Sequence, residues 1–277
     1  MPQAKDAWRR GKQQIRLPSG RHLAVVDTKG DGATALLLHG YTDTSRSYQA
    51  IARYLGGFRL VIPDLPGHGD SAEDSEADLL TIVEDLTAIA DHLDCAPSLV
   101  IGHSFGSLVA LEIARQKTWS DLKIVTLAGS PCPNLTGLQA LDPIRRFGDA
   151  VEVADPFLTH WYSGPVALDP QFLALVKADA VRMPVGTWHH YLDLLEKVDL
   201  RSKLEEIEAP LLSIAGDRDQ LFGARHVDAL GHGLRRGHDI RLRGVGHNPH
   251  WEAPQQVATI ITDWLDALVR DRDRALR

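Results

Sequence analysis

Ser104 stands between two glycines in Gly102-His103-Ser104-Phe105-Gly106, directly after the apolar run 98–101 and before the helix-like stretch 107–116. A serine hydroxyl is a poor nucleophile until a base takes its proton. The setting here is favourable. Small residues on both sides permit a tight strand-to-helix turn, which lifts the hydroxyl above the edge of a sheet. Backbone N–H groups at the helix start then face negative charge growing nearby. The five-residue pattern alone carries little weight; the strand before it and the helix after it give it meaning.

A base must come from elsewhere in the chain. Of thirteen histidines, location selects His247, in the stretch 244–254 (GVGHNPHWEAP), just beyond the strand-like run 239–244. A loop at that point can carry the ring over the sheet edge. His250 is the rival and reads as a supporting or helix-capping residue, and His103 reads as packing. The orienting acid should lie between serine and histidine in the chain, and the stretch 215–223 (AGDRDQLFG) offers Asp217 and Asp219. Asp217 follows Gly216 directly and suits a turn that needs an acceptor for backbone N–H groups. Asp219 lies further out, one helix-and-strand unit before His247, and is the predicted partner of that ring, which it would hold in the correct tautomer. A negative oxygen formed during attack needs donors. The backbone N–H of Tyr41, after the run 35–38, and that of Phe105 are the predicted pair.

These loops require strands to carry them. Apolar runs recur at 33–40, 58–69, 96–106 and 121–130, and again at 209–219 and 238–247. Helical patterns lie between them; in 75–93, Leu79, Ile82, Leu86 and Ile89 recur at helical spacing. Residues 14–30 read as a β-hairpin turning at Pro18-Ser19-Gly20. Such alternation predicts an α/β fold, a doubly wound, mostly parallel sheet covered on both faces. The rhythm breaks after Ser130. Residues 131–204 offer helix-like stretches at 135–147, 155–164, 169–181 and 187–198 and no clear strand. The expected organisation is a core of 1–130 and 205–277 with a helical lid, 131–204, inserted over the carboxyl ends of the strands. The last seven residues read as a frayed helix end.

Taken together, these pieces resemble the α/β-hydrolase superfamily in its lid-bearing branch. The resemblance rests on His39-Gly40, the stretch 64–71 (DLPGHGDS), 102–106, 216–219 (GDRD) and 246–254, in that order. It implies Asp219 as the acid and a structural role for Asp64. Branches with aspartate at the nucleophile position, the haloalkane dehalogenases and epoxide hydrolases, are set aside by Ser104. The serine members imply an acyl-enzyme route to a small carboxylic ester or lactone. Carbon–carbon bond hydrolysis of a vinylogous diketone is the second reading, and an acyltransferase or lyase on the same fold is the third. The lid carries no transferable roles; His160, Trp161, Tyr162, Trp188, His189, His190 and Tyr191 are its notable rings, expected mainly to pack it onto the core.

Bulk properties narrow the field further. Apolar residues make up 44% of 277, enough for a sizeable core, and the net charge of -7 disfavours nucleic acid and anionic membranes as partners. Two cysteines, Cys95 and Cys132, suggest neither a disulfide scaffold nor a cysteine-rich metal site. The mechanism calls for no cofactor and no metal. The opening stretch is polar, without the apolar centre of a leader, and no run approaches a membrane span, so the cytoplasm is the expected location. The expected partner is a small carbonyl substrate met by a largely apolar pocket, provided that Arg46, Arg145, Arg146 and Arg182 stay out of it. A homodimer is the expectation from symmetry alone.

Overall fold

A computed structural model describes residues 6–71, 76–135, 137–233 and 237–275. Its eight strands are β1 (Lys12–Arg16), β2 (His22–Asp27), β3 (Thr34–Leu38), β4 (Arg59–Pro63), β5 (Leu99–His103), β6 (Lys123–Leu127), β7 (Leu211–Gly216) and β8 (Gly237–Leu242). They form one sheet in the order β1-β2-β4-β3-β5-β6-β7-β8. From β4 to β8 the neighbours run parallel, while the β1–β2 hairpin is attached antiparallel to β4. The chain therefore reverses direction of winding beside β3, and β3, β5, β6 and β7 bring their carboxyl ends to a common edge.

The central strands β3, β5, β6 and β7 are largely apolar and buried because both faces of the sheet are covered there, whereas the edge strands β1 and β8 carry polar, partly exposed residues. Along β3 the side chains alternate: Leu36 and Leu38 enter one core, Ala35 and Leu37 the other. Helices Leu79–His92 and Phe105–Gln116 cover the first face, and Pro254–Ala275 the second through Val257, Ala258 and Ile261. Leu79, Ile82, Leu86 and Ile89 are indeed the buried stripe of their helix, which starts where the Asp78 carboxylate accepts the Thr81 N–H at 2.8 Å. Ser75, the first residue of the predicted helical stretch, lies outside the described residues.

Between β6 and β7 the described residues contain helical turns and no strand. Pro156–Trp161, Pro170–Ala180 and Val185–Lys197 are α-helices, the first two each begun by an aspartate cap and a proline. The described residues of the predicted stretch 135–147, from which Thr136 is excluded, do not form one helix. They break into the short turns Gln139–Leu141 and Ile144–Arg146 on either side of Pro143, whose ring excludes the helix continuing from before it. The tail also differs from expectation: Pro254–Ala275 is helical to its end, so residues 271–275 are not frayed, while 276–277 lie outside the described residues. The apolar side chains of the inserted segment, Phe157, Leu158, Trp188 and Leu192 among them, join the same core as the adjacent sheet face. Ion pairs tie it down as well, Arg46 to Asp179 at 2.6 Å and Arg182 to Asp70 at 2.6 Å. Among the described residues no helix is long and apolar enough to cross a membrane.

Candidate active site

Ser104 lies at the end of β5 with φ 49° and ψ −111°, a conformation that side chains rarely adopt. Holding it there costs about 1–3 kcal/mol, which the surrounding structure must offset. The two flanking glycines make the turn possible. A Cβ on Gly102 would lie 2.2 Å from the Gly106 carbonyl oxygen, and one on Gly106 would lie 2.1 Å from that of Leu38. The helix can thus start hard against β3 only if both positions lack a side chain. The Ser104 N–H is fixed on the Leu127 carbonyl at 3.0 Å, and Phe105 is the first residue of the helix, where N–H groups have no intrahelical acceptor.

The loops after β7 and β8 bring the other predicted residues to this hydroxyl. His247 Nε2 lies 3.0 Å from Ser104 Oγ, and its Nδ1 lies 2.8 Å from Asp219 Oδ2. The second carboxylate oxygen of Asp219 accepts the N–H groups of Leu221 and Phe222 at 2.8 and 2.9 Å. Asp219 therefore both caps its own turn and faces the ring. Asp217 turns elsewhere, accepting the Gly244 N–H at 2.7 Å. Burial works against the charged form of Asp219, but His247 and the two amides outweigh it and hold the carboxyl below the usual range. Burial also favours a neutral His247; Asp219, then Asp43 and Glu252, outweigh it and raise the ring above an ordinary histidine.

Tyr41 lies in the loop after β3. The Gly40 carbonyl accepts the Asp43 N–H at 3.1 Å and faces His39 Nδ1 at 2.8 Å. His39 Nε2 accepts the Leu65 N–H at 2.9 Å, so Nδ1 carries the ring proton and donates to Gly40. That carbonyl is held from behind, and the Tyr41 N–H, on the opposite side of the same planar peptide, points away from it. The tyrosine ring is buried, its hydroxyl bonded to the Trp188 carbonyl. The Phe105 side chain is wholly buried against Tyr191. Tyr41 borders the cavity beside Ser104, whereas the Phe105 ring, expected as an apolar neighbour of the pocket, packs away from it.

A cavity of about 730 Å³ opens beside Ser104 and His247. Its walls are more apolar than polar. Leu135, Leu138, Leu195, Leu221 and Phe222 face it, but so do Thr42, Asp43, Arg218, Gln220 and Asn248. None of Arg46, Arg145, Arg146 and Arg182 lines it; the first is paired with Asp6 and Asp179, the second with Asp193 and Glu196, the third lies 4.0 Å from Asp142, and the fourth is paired with Asp70.

Of the seven rings singled out in the insertion, His160, Trp161 and Tyr162 border the cavity. Trp161 Nε1 donates to Thr42 Oγ1 at 2.8 Å, and the Tyr162 hydroxyl to the Thr42 carbonyl at 2.8 Å. Trp188 and Tyr191 are buried packing, and the His189 and His190 rings bond to the Ile144 and Ala77 carbonyls. His250 is buried with Nε2 2.7 Å from Ser47 Oγ, and Asp64 is structural, paired with Lys12 at 2.6 Å and accepting two backbone N–H groups. Sequence reasoning missed Glu252. Its carboxylate accepts the Gly246 N–H at 2.7 Å and the Asn248 N–H at 3.2 Å, clamping the backbone on both sides of His247. Among the described residues no group of three or more His, Cys, Asp or Glu side chains is arranged to hold a metal ion.

A parallel sheet of this order, with a strained serine at the turn after β5, defines an α/β hydrolase, and the chain belongs to the alpha/beta hydrolase family, whose model matches residues 35–260. Among individual relatives, it is 28% identical over 246 residues to a pimeloyl-[acyl-carrier protein] methyl ester esterase of Nitrosomonas europaea, covering 83% of this chain and 95% of that one. It is 28% identical over 275 residues to the magnesium-chelatase 30 kDa subunit of Rhodobacter capsulatus, covering 87% and 90%. It also matches the biotin biosynthesis bifunctional protein BioHC of Cellvibrio japonicus at 27% identity; there the alignment takes in 86% of this chain but spans only 49% of the relative. Among solved structures, an esterase from Exiguobacterium antarcticum superposes with a TM-score of 0.81 at 16% identity, covering 92% of this chain and 99% of that one.

Proposed function

We propose that this protein is a serine hydrolase cleaving a small carboxylic ester or lactone through an acyl-enzyme. The observation that carries the reading is the unbroken chain from Ser104 Oγ through His247 to Asp219, at 3.0 and 2.8 Å, beside the cavity. In this mechanism His247 takes the Ser104 proton as the oxygen attacks the substrate carbonyl. The N–H groups of Tyr41 and Phe105 receive the oxygen that becomes negative, each worth about 3 kcal/mol to the transition state. The imidazolium, favoured by Asp219, then gives its proton to the leaving alcohol. Water repeats the sequence on the acylated serine and releases the acid.

Residues 131–204 act as the lid in this reading, with Trp161 and Tyr162 anchored on Thr42 at one wall of the cavity. The mixed walls suit an acyl chain along the leucines and a polar leaving group or acyl terminus near Arg218, Gln220 and Asn248. The names of the relatives favour methyl and other simple esters.

The test is a panel of p-nitrophenyl esters, methyl esters of short dicarboxylic acids, lactones and vinylogous diketones, run with and without an added alcohol. Hydrolysis of esters or lactones that Ser104→Ala abolishes is the expected result. Cleavage confined to the diketones would establish the carbon–carbon bond reading instead, and product found only with the alcohol acceptor would establish a transferase.

A further inference from the structure

Asp43 is a buried carboxylate with a weak partner. Its side chain is 5% exposed, and among the described residues its one ion-pairing contact is with the His103 ring, a cation only when protonated, with Nδ1 3.5 Å from Oδ2. Ser47 Oγ donates to the same oxygen at 3.3 Å. Three other buried carboxylates are met by permanent cations, Asp64 by Lys12, Asp85 by Arg21 and Asp179 by Arg46, and Asp219 by a histidine at the closer distance of 2.8 Å. Burying a carboxylate without such a partner is costly, so the position of Asp43 asks for a reason.

The ring beside it supplies one. His103 Nε2 lies 2.9 Å from the backbone carbonyl oxygen of His247. A carbonyl only accepts, so Nε2 carries a proton and donates, and Nδ1 is the atom turned to Asp43. The two histidine rings lie 5.1 Å apart. One buried ring, on the residue before Ser104, thus lies against the loop after β3 and bonds to the loop that carries His247.

We propose that Asp43 and His103 are a positioning pair for His247: His103 fixes the backbone of that residue, and the Asp43 carboxylate adds negative potential that favours the imidazolium formed when the Ser104 proton arrives. The inference rests on His247 being the base. In that step the O–H bond of Ser104 breaks and an N–H bond forms at His247 Nε2. The positive charge on the ring is met directly by Asp219 and at longer range by Asp43. Every charged or titratable neighbour enters the balance. Asp219 in the loop after β7, Asp43 in the loop after β3 and Glu252 in helix Pro249–Glu252 favour the charged ring. His103, His250 and His226 oppose it whenever they are protonated themselves.

The experiment is an NMR titration of the His247 ring in the wild type and in Asp43→Asn, a readout that needs no substrate. The expected result is a midpoint about half a pH unit or more lower in the variant, with a lower kcat and an acid limb displaced the same way. Asp43→Ser serves if the asparagine variant does not fold. An unshifted His247 midpoint in the folded variant overturns the electrostatic part, whatever the activity. His103→Gln, which keeps an N–H for the His247 carbonyl, should retain more kcat than His103→Leu; equal losses overturn the positioning part. Failure of the underlying reading looks different: activity that survives Ser104→Ala removes the base assignment, while the titration still decides what Asp43 does to the ring.

Discussion

Asp217 and Asp219 sit two residues apart in one loop, yet the structure gives them different work. Asp219 meets the His247 ring, whereas Asp217 holds the Gly244 N–H where β8 gives way to its loop. Asp219→Asn should lower kcat by about 10⁴-fold with little change in melting temperature, because the amide favours the wrong ring tautomer. Asp217→Asn should cost about 1 kcal/mol of stability and leave kcat nearly unchanged; steady-state kinetics and thermal melts on both variants check the contrast. The ring itself predicts a pH profile. In the proposed mechanism His247 must be neutral to act, and its pKa is raised. Activity should therefore fall as pH drops, with the midpoint of kcat/KM above about 6.5, the value of an unperturbed histidine. A midpoint at or below that value would count against Asp219 as the dominant influence. Ser104, Asp219 and His247 could be singled out in the sequence because each lies in the turn or loop after a strand-like run. Asp43, His103 and Glu252 could not: their partners are 60, 144 and 6 residues away or are backbone atoms, and nothing in local spacing announces such pairings.

The elements place these groups by packing backbone on backbone. Helix Phe105–Gln116 approaches β3 so closely that a Cβ on Gly106 would meet the Leu38 carbonyl at 2.1 Å. Backbone cannot move aside as a flexible side chain can. Gly106→Ala should cost about 3 kcal/mol, and it should also lower kcat by separating the Phe105 amide from the Tyr41 amide. Urea unfolding and kinetics on the same preparation test both effects; a fully stable, fully active alanine variant would contradict the close approach. At this scale the continuous apolar runs of the central strands and the 3.6-residue stripe of Leu79–His92 could be read directly from residue type. The insertion was harder. Residues 135–147 look helical in composition, but Pro143 divides them, and the loss of one N–H and the ring clash outweigh apolar spacing.

Across the whole molecule, several titratable groups are buried in the form that neutral pH supports. His39 and His250 are fully buried, and burial holds both rings neutral, with pKa values well below an ordinary histidine. The unfolded chain would protonate them near pH 6.5. Their contribution is therefore present above that pH and is lost as pH falls toward the folded values, at about 1.4 kcal/mol per pH unit for each ring. Asp70, depressed by Arg182 and Lys12 against the effect of burial, adds a loss of the same sign below about pH 4. His247 is opposite in sign: its raised pKa stabilises at low pH and that gain is lost as pH rises through the folded value. Urea midpoints should thus decline from pH 7 to pH 5 and more steeply below; a flat profile across that range would show that the two rings are not buried neutral.

The most direct measurement concerns the nucleophile. A fluorophosphonate reacts with a serine whose proton is drawn off by a base and whose phosphonyl oxygen finds donors, and it requires no knowledge of the natural substrate. Intact mass and peptide mapping should show one adduct, on Ser104, formed quickly at pH 8, absent in Ser104→Ala and strongly slowed in Asp219→Asn. Wild-type protein that remains unlabelled, or labelling that persists in Ser104→Ala, would contradict the assignment of Ser104, His247 and Asp219 as an acyl-transfer site.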